Sequence, residues 1–437
     1  MLKHLLRGGG SDLDGNSWIA TLGGGRIEDG QSVAVGPDGS VYVGGSTSSL
    51  GKGYQVALLA KFNSSGALQW QKILLGDNFS GITSVAVGPD GFVYVCGAFR
   101  LAGKDVNNCL IAKFNSSGTL QWQKMLSTSV HAVFNSVAVG QDGSVYAGGE
   151  VNSNRKTCLV AKFNSSGTLQ WQKTFGGDNY DYLHAVAVGP DGSIYVGGAS
   201  SSHGGSGYAG ALLTKFNSSG ARQWQKILGI GASADFYSLA FGSDGSVYAC
   251  GEIVPGEYYR DILLAKFNPS GALQWQKTLY KYDYDYSYGI AVGPDDSVYI
   301  GGRMSSATGQ DIPDAVIAMF NASGTLRWQK TINYSGLLYI RSVAVGQDDS
   351  VYACGRAEVR GDLISPIWLI KVKDDIIAQS SSVYGEYTIE NASFNNTNVS
   401  YGVSTLSLSL ATSSLSVSTS SLTVEDINFT FNKYTGD

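Results

Sequence analysis

The tryptophans of this chain fall at nearly equal intervals, and that regularity limits the folds open to it more than any other feature. Trp70, Trp122, Trp171, Trp224, Trp275 and Trp328 are separated by 52, 49, 53, 51 and 53 residues, and Trp18 precedes Trp70 by another 52. The aspartates of a recurrent turn (Asp38, Asp90, Asp142, Asp191, Asp244, Asp295 and Asp348) keep the same step. A period near fifty residues marks a chain built from one supersecondary unit stacked on copies of itself.

The unit reads as four short strands. SerValAlaValGly (Ser32–Gly36) is followed by ProAspGly, a turn in which proline presets φ and glycine accepts a positive one. ValTyrValGlyGly is a second strand of β-branched and aromatic residues. After an irregular loop, AlaLeuLeuAlaLysPheAsn is a third, SerSerGly a second tight turn, and AlaLeuGlnTrpGlnLys a fourth. Four antiparallel strands with few charges make a sheet covered on both faces, and such sheets set side by side around an axis form a β-propeller. The first two strands occur seven times, the last copy running from Ser342 to Gly355, and its third strand is Ile367–Lys373. No fourth strand follows. The missing one is expected at the other end of the chain, Asn16–Leu22, which would complete the seventh blade and remove the open edges. The expected architecture is therefore all-β. Residues 1–15 form an N-terminal arm, 16–373 a seven-bladed propeller closed by an N-terminal strand, and 374–437 a β-rich Ser/Thr tail for attachment or oligomerisation.

Composition narrows the function classes. With 58 Gly, 25 Tyr, 15% charged residues and a formal charge of −5 in 437 residues, the chain offers no general phosphate-binding surface, so no nucleic-acid partner is expected. No run approaches eighteen apolar residues, so no membrane span is expected. MLKHLLR is followed at once by glycines, without the apolar core of an export signal. Cys96, Cys250 and Cys354 replace the first glycine of a repeated Gly-Gly pair, and Cys109 and Cys158 a small residue opening the third strand. They read as buried fillers, with Cys96 and Cys109 the one pair worth checking for a bridge.

The Gly-Asp-Gly turn, the Val-Tyr-Val strand and the Lys-Phe-Asn-x-x-Gly-x-x-x-Trp segment resemble those of seven-bladed β-propeller repeat proteins of bacterial extracellular and phage type. The likeness covers about residues 16–373. It implies the fold, whereas the family's functions are mixed. PheAsnSerSerGlyAlaLeuGlnTrp is also similar to the tryptophan-docking segment of quinoprotein propellers. Those have eight blades, adjacent cysteines and cation ligands, so no quinone or other cofactor is expected here.

Function is expected where the repeats differ. The turns vary little and share one face, whereas the connections between second and third strands, and those between blades, lie on the other and vary in length, charge and aromaticity. Loops on a rigid scaffold usually carry recognition. The most distinctive stretch is Tyr280–Tyr288, TYR-rich and acidic, and from it Tyr280, Tyr282, Asp283, Tyr284, Asp285 and Tyr286 are candidate ligand contacts. Tyr180, Tyr182 and Tyr237 in related connections join them. Aromatic faces with polar tips, beside carboxylates, suit a glycan or a polar protein surface; sealing of the corners between blades is the alternative reading. The tryptophans, Trp18 included, are expected to pack against the neighbouring blade. His4, His131, His184 and His203 share no metal-ligand spacing, and His131 and His184 read as structural residues at equivalent positions. No catalytic motif or metal set is recognised, although a glycosidase needs none in sequence. The AsnSerSer triplets at Asn63, Asn115, Asn164 and Asn217, and AsnAlaSer at Asn321, read as turns before glycosylation sites.

In the tail, Thr405–Leu410, Leu415–Val417, Leu422–Val424 and Ile427–Phe431 alternate with period two, as strands with one covered face do. They are expected to pack on the ring, on their own copies or on another protein. The conjunction of an outside-type surface, unpaired cysteines and no export signal leads to the expectation of a non-enzymatic structural or recognition protein of a virus particle, a phage tail, fibre or surface decoration. Its partners would be other virion proteins, or its own copies, and a host-surface glycan or protein. The alternative is a secreted or cell-surface glycan-binding propeller, and a propeller polysaccharide hydrolase or lyase is more distant.

Overall fold

The structure is a computed structural model. It describes residues 17–373 apart from 24–25, 50–52, 76–77, 102, 128, 153, 203–207, 230–231, 255–258, 281–283, 306–313, 335 and 359–364, together with the backbone of eight strands between 381 and 435. The expected N-terminal arm, Tyr282, Asp283, His4 and His203 lie outside the described residues.

Seven antiparallel sheets each take four strands of the repeat in the order of the sequence. In blades 1 to 7 the first strands are Glu28–Val35, Phe79–Val87, His131–Val139, Asp181–Val188, Ser233–Phe241, Tyr286–Val292 and Leu337–Val345. Consecutive first strands touch one another around the ring, the seventh returning to the first, so they line the axis. The tryptophan strands lie outermost in the repeat. In blade 7 that place is taken by Trp18–Gly23, whose residues Trp18 to Leu22 pair with Lys371 to Ile367.

The second and third strands are buried along nearly their whole length, which is why they read as continuous apolar runs rather than alternating ones. Their side chains form seven clusters, each shared by two adjacent blades; Ile82, Val85 and Phe114 of blade 2, for instance, pack with Tyr42, Leu59 and Leu74 of blade 1. Near the axis, hydroxyls tie neighbouring first strands together. Ser32 Oγ accepts the Val85 N–H at 3.0 Å, Ser84 that of Val137 at 3.2 Å, Ser136 that of Val186 at 3.0 Å, and Ser342 that of Val33 at 3.2 Å. The last of these joins blade 7 to blade 1 across 309 residues of chain. A hydrogen bond of this kind is worth about 1 kcal/mol net.

At the periphery the tryptophans make a second set of ties. The Trp70, Trp122, Trp171, Trp224 and Trp275 indole N–H groups donate to carbonyls in the next blade's turn, those of Ser116, Ser165, Ser218, Pro269 and Ala322, at 3.0–3.2 Å, and Trp18 donates to Ser64 O. Each ring also meets the tyrosine of its own blade's second strand, as Trp70 meets Tyr42 at 6.0 Å. The turn glycine has φ near +80°, and a Cβ on Gly66 would come within 2.7 Å of the Trp18 ring. Glycine is thus required twice over, for the turn and for the indole above it.

The Asn side chains of those turns are engaged in the turns themselves, Asn63 Oδ1 accepting the Ala67 N–H at 2.8 Å and the Ser65 hydroxyl at 2.8 Å. The five cysteines are buried and free, Cys96 and Cys109 among them, and burial pushes the Cys96 thiol up to about 12.

The tail strands add a further strand to every blade by backbone pairing, running round the ring against the order of the sequence. Tyr387–Asn391 lies on blade 6, Asn395–Asn398 on blade 5, Val403–Thr405 on blade 4 and Ser409–Thr412 on blade 3. Ser416–Thr419 follows on blade 2, Thr423–Asp426 on blade 1 and Thr430–Thr435 on the N-terminal strand in blade 7. No helix among the described residues is long and apolar enough to cross a membrane.

Candidate functional site at the channel mouth

Each first strand begins three to five residues before the SerValAlaVal motif or its equivalent, and the added half carries a β-bulge. The register shifts between Gly30 and Ser32 in blade 1, and at the corresponding place in all seven blades. A bulge leaves one residue unpaired and re-aims its side chain. Here the unpaired residues are Gln31, Thr83, Asn135, His184, Tyr237, Tyr288 and Arg341: all polar, and nearly all different, in a repeat otherwise close to uniform.

The bulge has a cause in the conserved pair of the second strand. A Cβ on Gly45 would lie 1.9 Å from Asp29 O, and one on Gly198 1.9 Å from Tyr182 O; Gly97, Gly149, Gly251, Gly302 and Gly355 stand in the same relation to their own blades, at 1.7–2.0 Å. The second glycine is the space into which the bulged backbone bends.

Burial alternates along this half-strand. In blade 4, Asp181 and Leu183 are buried while Tyr182 and His184 are partly open, and the other blades follow the same rule. The bulge residue and the one two before it therefore face the axis on the variable face. At the opposite mouth Val35, Val87, Val139 and Val345 line a funnel with Gln141 and Gln347.

In blades 2 and 3 the bulge residues serve the scaffold. Thr83 donates its hydroxyl to Phe134 O at 2.6 Å, and Asn135 donates to Leu183 O at 2.8 Å, each the main chain of the next blade. From blade 4 onward the contacts are between side chains. His184 Nε2 lies 3.0 Å from Asp235 Oδ2 of blade 5. Its ring stacks on Tyr182, centroids 6.0 Å apart, and meets the edge of Tyr237 at 5.2 Å. Tyr237 touches Tyr288, and Tyr288 stacks on Tyr286 with planes 5° apart. Arg303 lies over Tyr286 at 4.4 Å and Tyr339 at 5.2 Å, and Arg341 over Tyr288 at 5.4 Å. One connected cluster thus runs across blades 4 to 7.

Its charges are divided. Toward blades 3 to 5 stand Glu150, Asp235 and Glu252, Glu252 being paired with Arg260 and Glu150 with Lys156 at 3.0 Å. Toward blades 6 and 7 stand Arg303, Arg341 and Arg356, whose Nε atoms are buried without a hydrogen-bond partner. Burial acts against a charge on His184, but Asp235 outweighs it and raises the imidazole above its usual 6.5. Burial raises the Glu252 carboxyl against the pull of Arg260. Burial, with the charges of Asp235 and Glu252, pushes the Tyr237 phenol well up. Burial also raises Asp29, which faces Arg341 and Arg356. An imidazole paired with a carboxylate, three guanidiniums and stacked aromatic rings share one opening.

Of the residues expected from sequence, Tyr182, Tyr237 and Tyr286 come together in this cluster. Tyr180 and Tyr284 are exposed on the same face. Tyr280 ends the fourth strand of blade 5, opposite Asn395, away from the axis. Asp285 is corrected: it is fully buried and accepts the Ser305 N–H at 2.8 Å. Glu28 and Asp181 hold the same place, Glu28 taking the hydroxyls of Thr47 and Ser49 and Asp181 those of Ser200 and Ser202. An acid at this register fastens the loop after the second strand to the first strand. His131 and His184 are not equivalent. His131 opens its strand opposite Asn152 and accepts the Asn107 N–H at 3.1 Å, whereas His184 is the bulge residue. Among the described residues no group of three or more His, Cys, Asp or Glu is placed to hold a metal ion.

In comparison with known proteins, residues 36–68 match the model of a family described as a domain of unknown function (DUF5122) beta-propeller. No curated protein matches the sequence. Similar solved structures include a protein of unknown function from Dyadobacter fermentans, 10% identical over 80% of this chain and 97% of that one, with a TM-score of 0.48. An ulvan lyase, a polysaccharide lyase solved bound to -[GlcA(1-4)Rha3S]-, is 11% identical over 79% of this chain and 95% of that one, at 0.49. A gluconolactonase from Xanthomonas campestris is 14% identical over 70% of this chain and 90% of that one, at 0.38. The expectation that the chain is not an enzyme is thereby corrected. Enzymes stand among the structures it is similar to. The expected role in a virus particle gains no support from these comparisons.

Proposed function

We propose that the chain is a carbohydrate-active propeller whose channel mouth on the variable face takes an acidic saccharide. The observation that carries this reading is the bulge series, in which a nearly invariant repeat is broken at one axis-facing position per blade. On four successive blades that position holds His184, Tyr237, Tyr288 and Arg341, in mutual contact or sharing neighbours.

The division of charge orients the ligand. A carboxylate or sulfate would sit against Arg303 and Arg341, whose Nε donors are unengaged in the buried mouth, and charge-assisted hydrogen bonds to guanidinium are among the stronger ones. Tyr286 and Tyr288, whose faces meet each other and these guanidiniums, hold the arginines in place. His184, whose imidazole Asp235 raises above its usual value against the effect of burial, stands where it can donate a proton to a glycosidic oxygen that leaves. The partner is then a glycan of a cell surface or its surroundings.

The test is incubation with uronate- and sulfate-bearing polysaccharides, following new reducing ends and the ultraviolet absorbance of unsaturated uronates. The expected result is product from at least one polymer, lost in His184→Ala with saccharide binding retained. Absence of both binding and product across the set would overturn the reading.

A further inference from the structure

We propose that four exposed tyrosines extend the mouth into a track for a polymeric glycan, so that several sugar units are bound rather than one. This rests on the reading of the mouth as a saccharide site. Among the described residues, the exposed large hydrophobic side chains are all tyrosines: Tyr180 (49%), Tyr208 (42%), Tyr259 (55%) and Tyr284 (49%). Single exposed aromatics scattered over a surface call for no explanation. These are not scattered. All four lie on the variable face, in the loops of blades 4 to 6, the sector that holds His184, Tyr237 and Tyr286.

Each is adjacent in the chain to the mouth. Tyr180 stands two residues before Tyr182, which stacks on His184. Tyr284 stands two before Tyr286, which stacks on Tyr288. Tyr259 precedes Arg260, whose guanidinium pairs with Glu252 and lies 5.7 Å from the Tyr286 ring. Tyr208 precedes Ala209, whose carbonyl accepts the Ala234 N–H at 2.7 Å, next to Asp235.

The backbone beneath the rings is held. Tyr284 N–H donates to Ser305 Oγ at 2.9 Å, and Asp285 N–H to Arg260 O at 2.9 Å in a bridge that sets residues 260 and 284 side by side. Tyr180 O accepts the Ser201 N–H at 2.9 Å. Rings presented on anchored backbone lose little freedom on binding. A tyrosine gives a sugar a flat apolar face for its C–H bonds and a hydroxyl for its oxygens, without the strong charge that would restrict it to one sugar.

The experiment uses an array of uronate- and sulfate-bearing glycans, each printed as a di- or trisaccharide and as a chain of eight or more units. It is probed with the full chain and with Tyr180→Ala, Tyr208→Ala, Tyr259→Ala and Tyr284→Ala, after each variant is shown to melt with the parent. The expected result is at least tenfold tighter binding of the long form by the parent. At least two variants should lose fivefold or more on the long form and less than twofold on the short one. Equal affinity for short and long forms, or four variants that bind like the parent, overturns the track while leaving the mouth standing. Loss on the short forms too also overturns it, by placing these rings inside the mouth. An array on which nothing binds overturns both readings.

Discussion

His184 of blade 4 reaches across the blade boundary to Asp235 of blade 5, Nε2 to Oδ2, at 3.0 Å, with side chains 24% and 16% exposed. The pair is shielded enough for the carboxylate to govern the imidazole. The folded value lies above 6.5, so the pairing contributes its full stability below pH 6.5 and loses it as pH rises through the raised value. In Asp235→Asn the burial that opposes the charge is left with little to counter it, and His184 should then titrate below 6.5. The ring-proton shifts of His184 followed by NMR against pH check this, and an unchanged midpoint would contradict it.

The bulge that aims His184 depends on Gly198. A methyl group there would stand 1.9 Å from Tyr182 O, closer than any packing tolerates, so the first strand of blade 4 must shift in Gly198→Ala. Overpacking of this order costs about 1–3 kcal/mol. The expected outcome is a lowered melting temperature together with loss of saccharide binding, read by calorimetry on the same sample.

Trp171 separates stability from function. Its indole donates to Ser218 O at 3.1 Å and its ring packs on Tyr146, at the rim and away from the axis. Trp171→Ala should cost roughly 2–4 kcal/mol, less than a fully buried tryptophan because the ring is partly exposed. It should lower the melting temperature while binding measured well below the melt is unchanged.

The repeated turn predicts an acid limit. Partial burial opposes ionisation at Asp38, Asp142, Asp191, Asp244 and Asp348, but the N–H and hydroxyl of the serine two residues on prevail and hold each carboxyl below 3.8. At Asp295 the Ser297 hydroxyl is the leading cause. Groups whose folded values are lowered contribute stability that is present above 3.8 and lost as pH falls through the folded values. These turns are half exposed, so each contributes only a few tenths of a kcal/mol, on the order of exposed pairs. Melting temperature measured from pH 5 downward should fall most steeply below about pH 4.

How far the sequence went follows from what repeats and what does not. Seven registers of Val-Tyr-Val strands and Gly turns made the blades legible, because turn chemistry and burial act the same way in every copy. The mouth was hidden by the same habit of reading. Residues 28–31 and their equivalents vary from blade to blade, so they passed for connections between blades, although they are the upper half of the first strand. Their signal was present in the invariant second glycine, Gly45 and its counterparts, since a glycine held in a strand interior marks something close above it. Tyr182, Tyr237 and Tyr286, which the cluster contains, stood out in the sequence through their aromatic-acidic surroundings. Arg341 was missed because nothing beside it in sequence is acidic; Asp29, which it faces, comes from the far end of the chain. Asp285 was misjudged because an acid that ties a loop and an acid that meets a ligand have the same spelling.

The most direct test of a saccharide site at the variable mouth is a calorimetric titration of the acidic glycan that binds tightest, comparing the parent with Arg341→Ala and Gln347→Ala. Arg341 stands at the variable mouth and Gln347 at the opposite one. The account predicts that Arg341→Ala weakens binding at least tenfold, about 1.4 kcal/mol, with an unchanged melt, and that Gln347→Ala binds as the parent does. Parent-like affinity in Arg341→Ala, with the loss falling on Gln347→Ala, would contradict it.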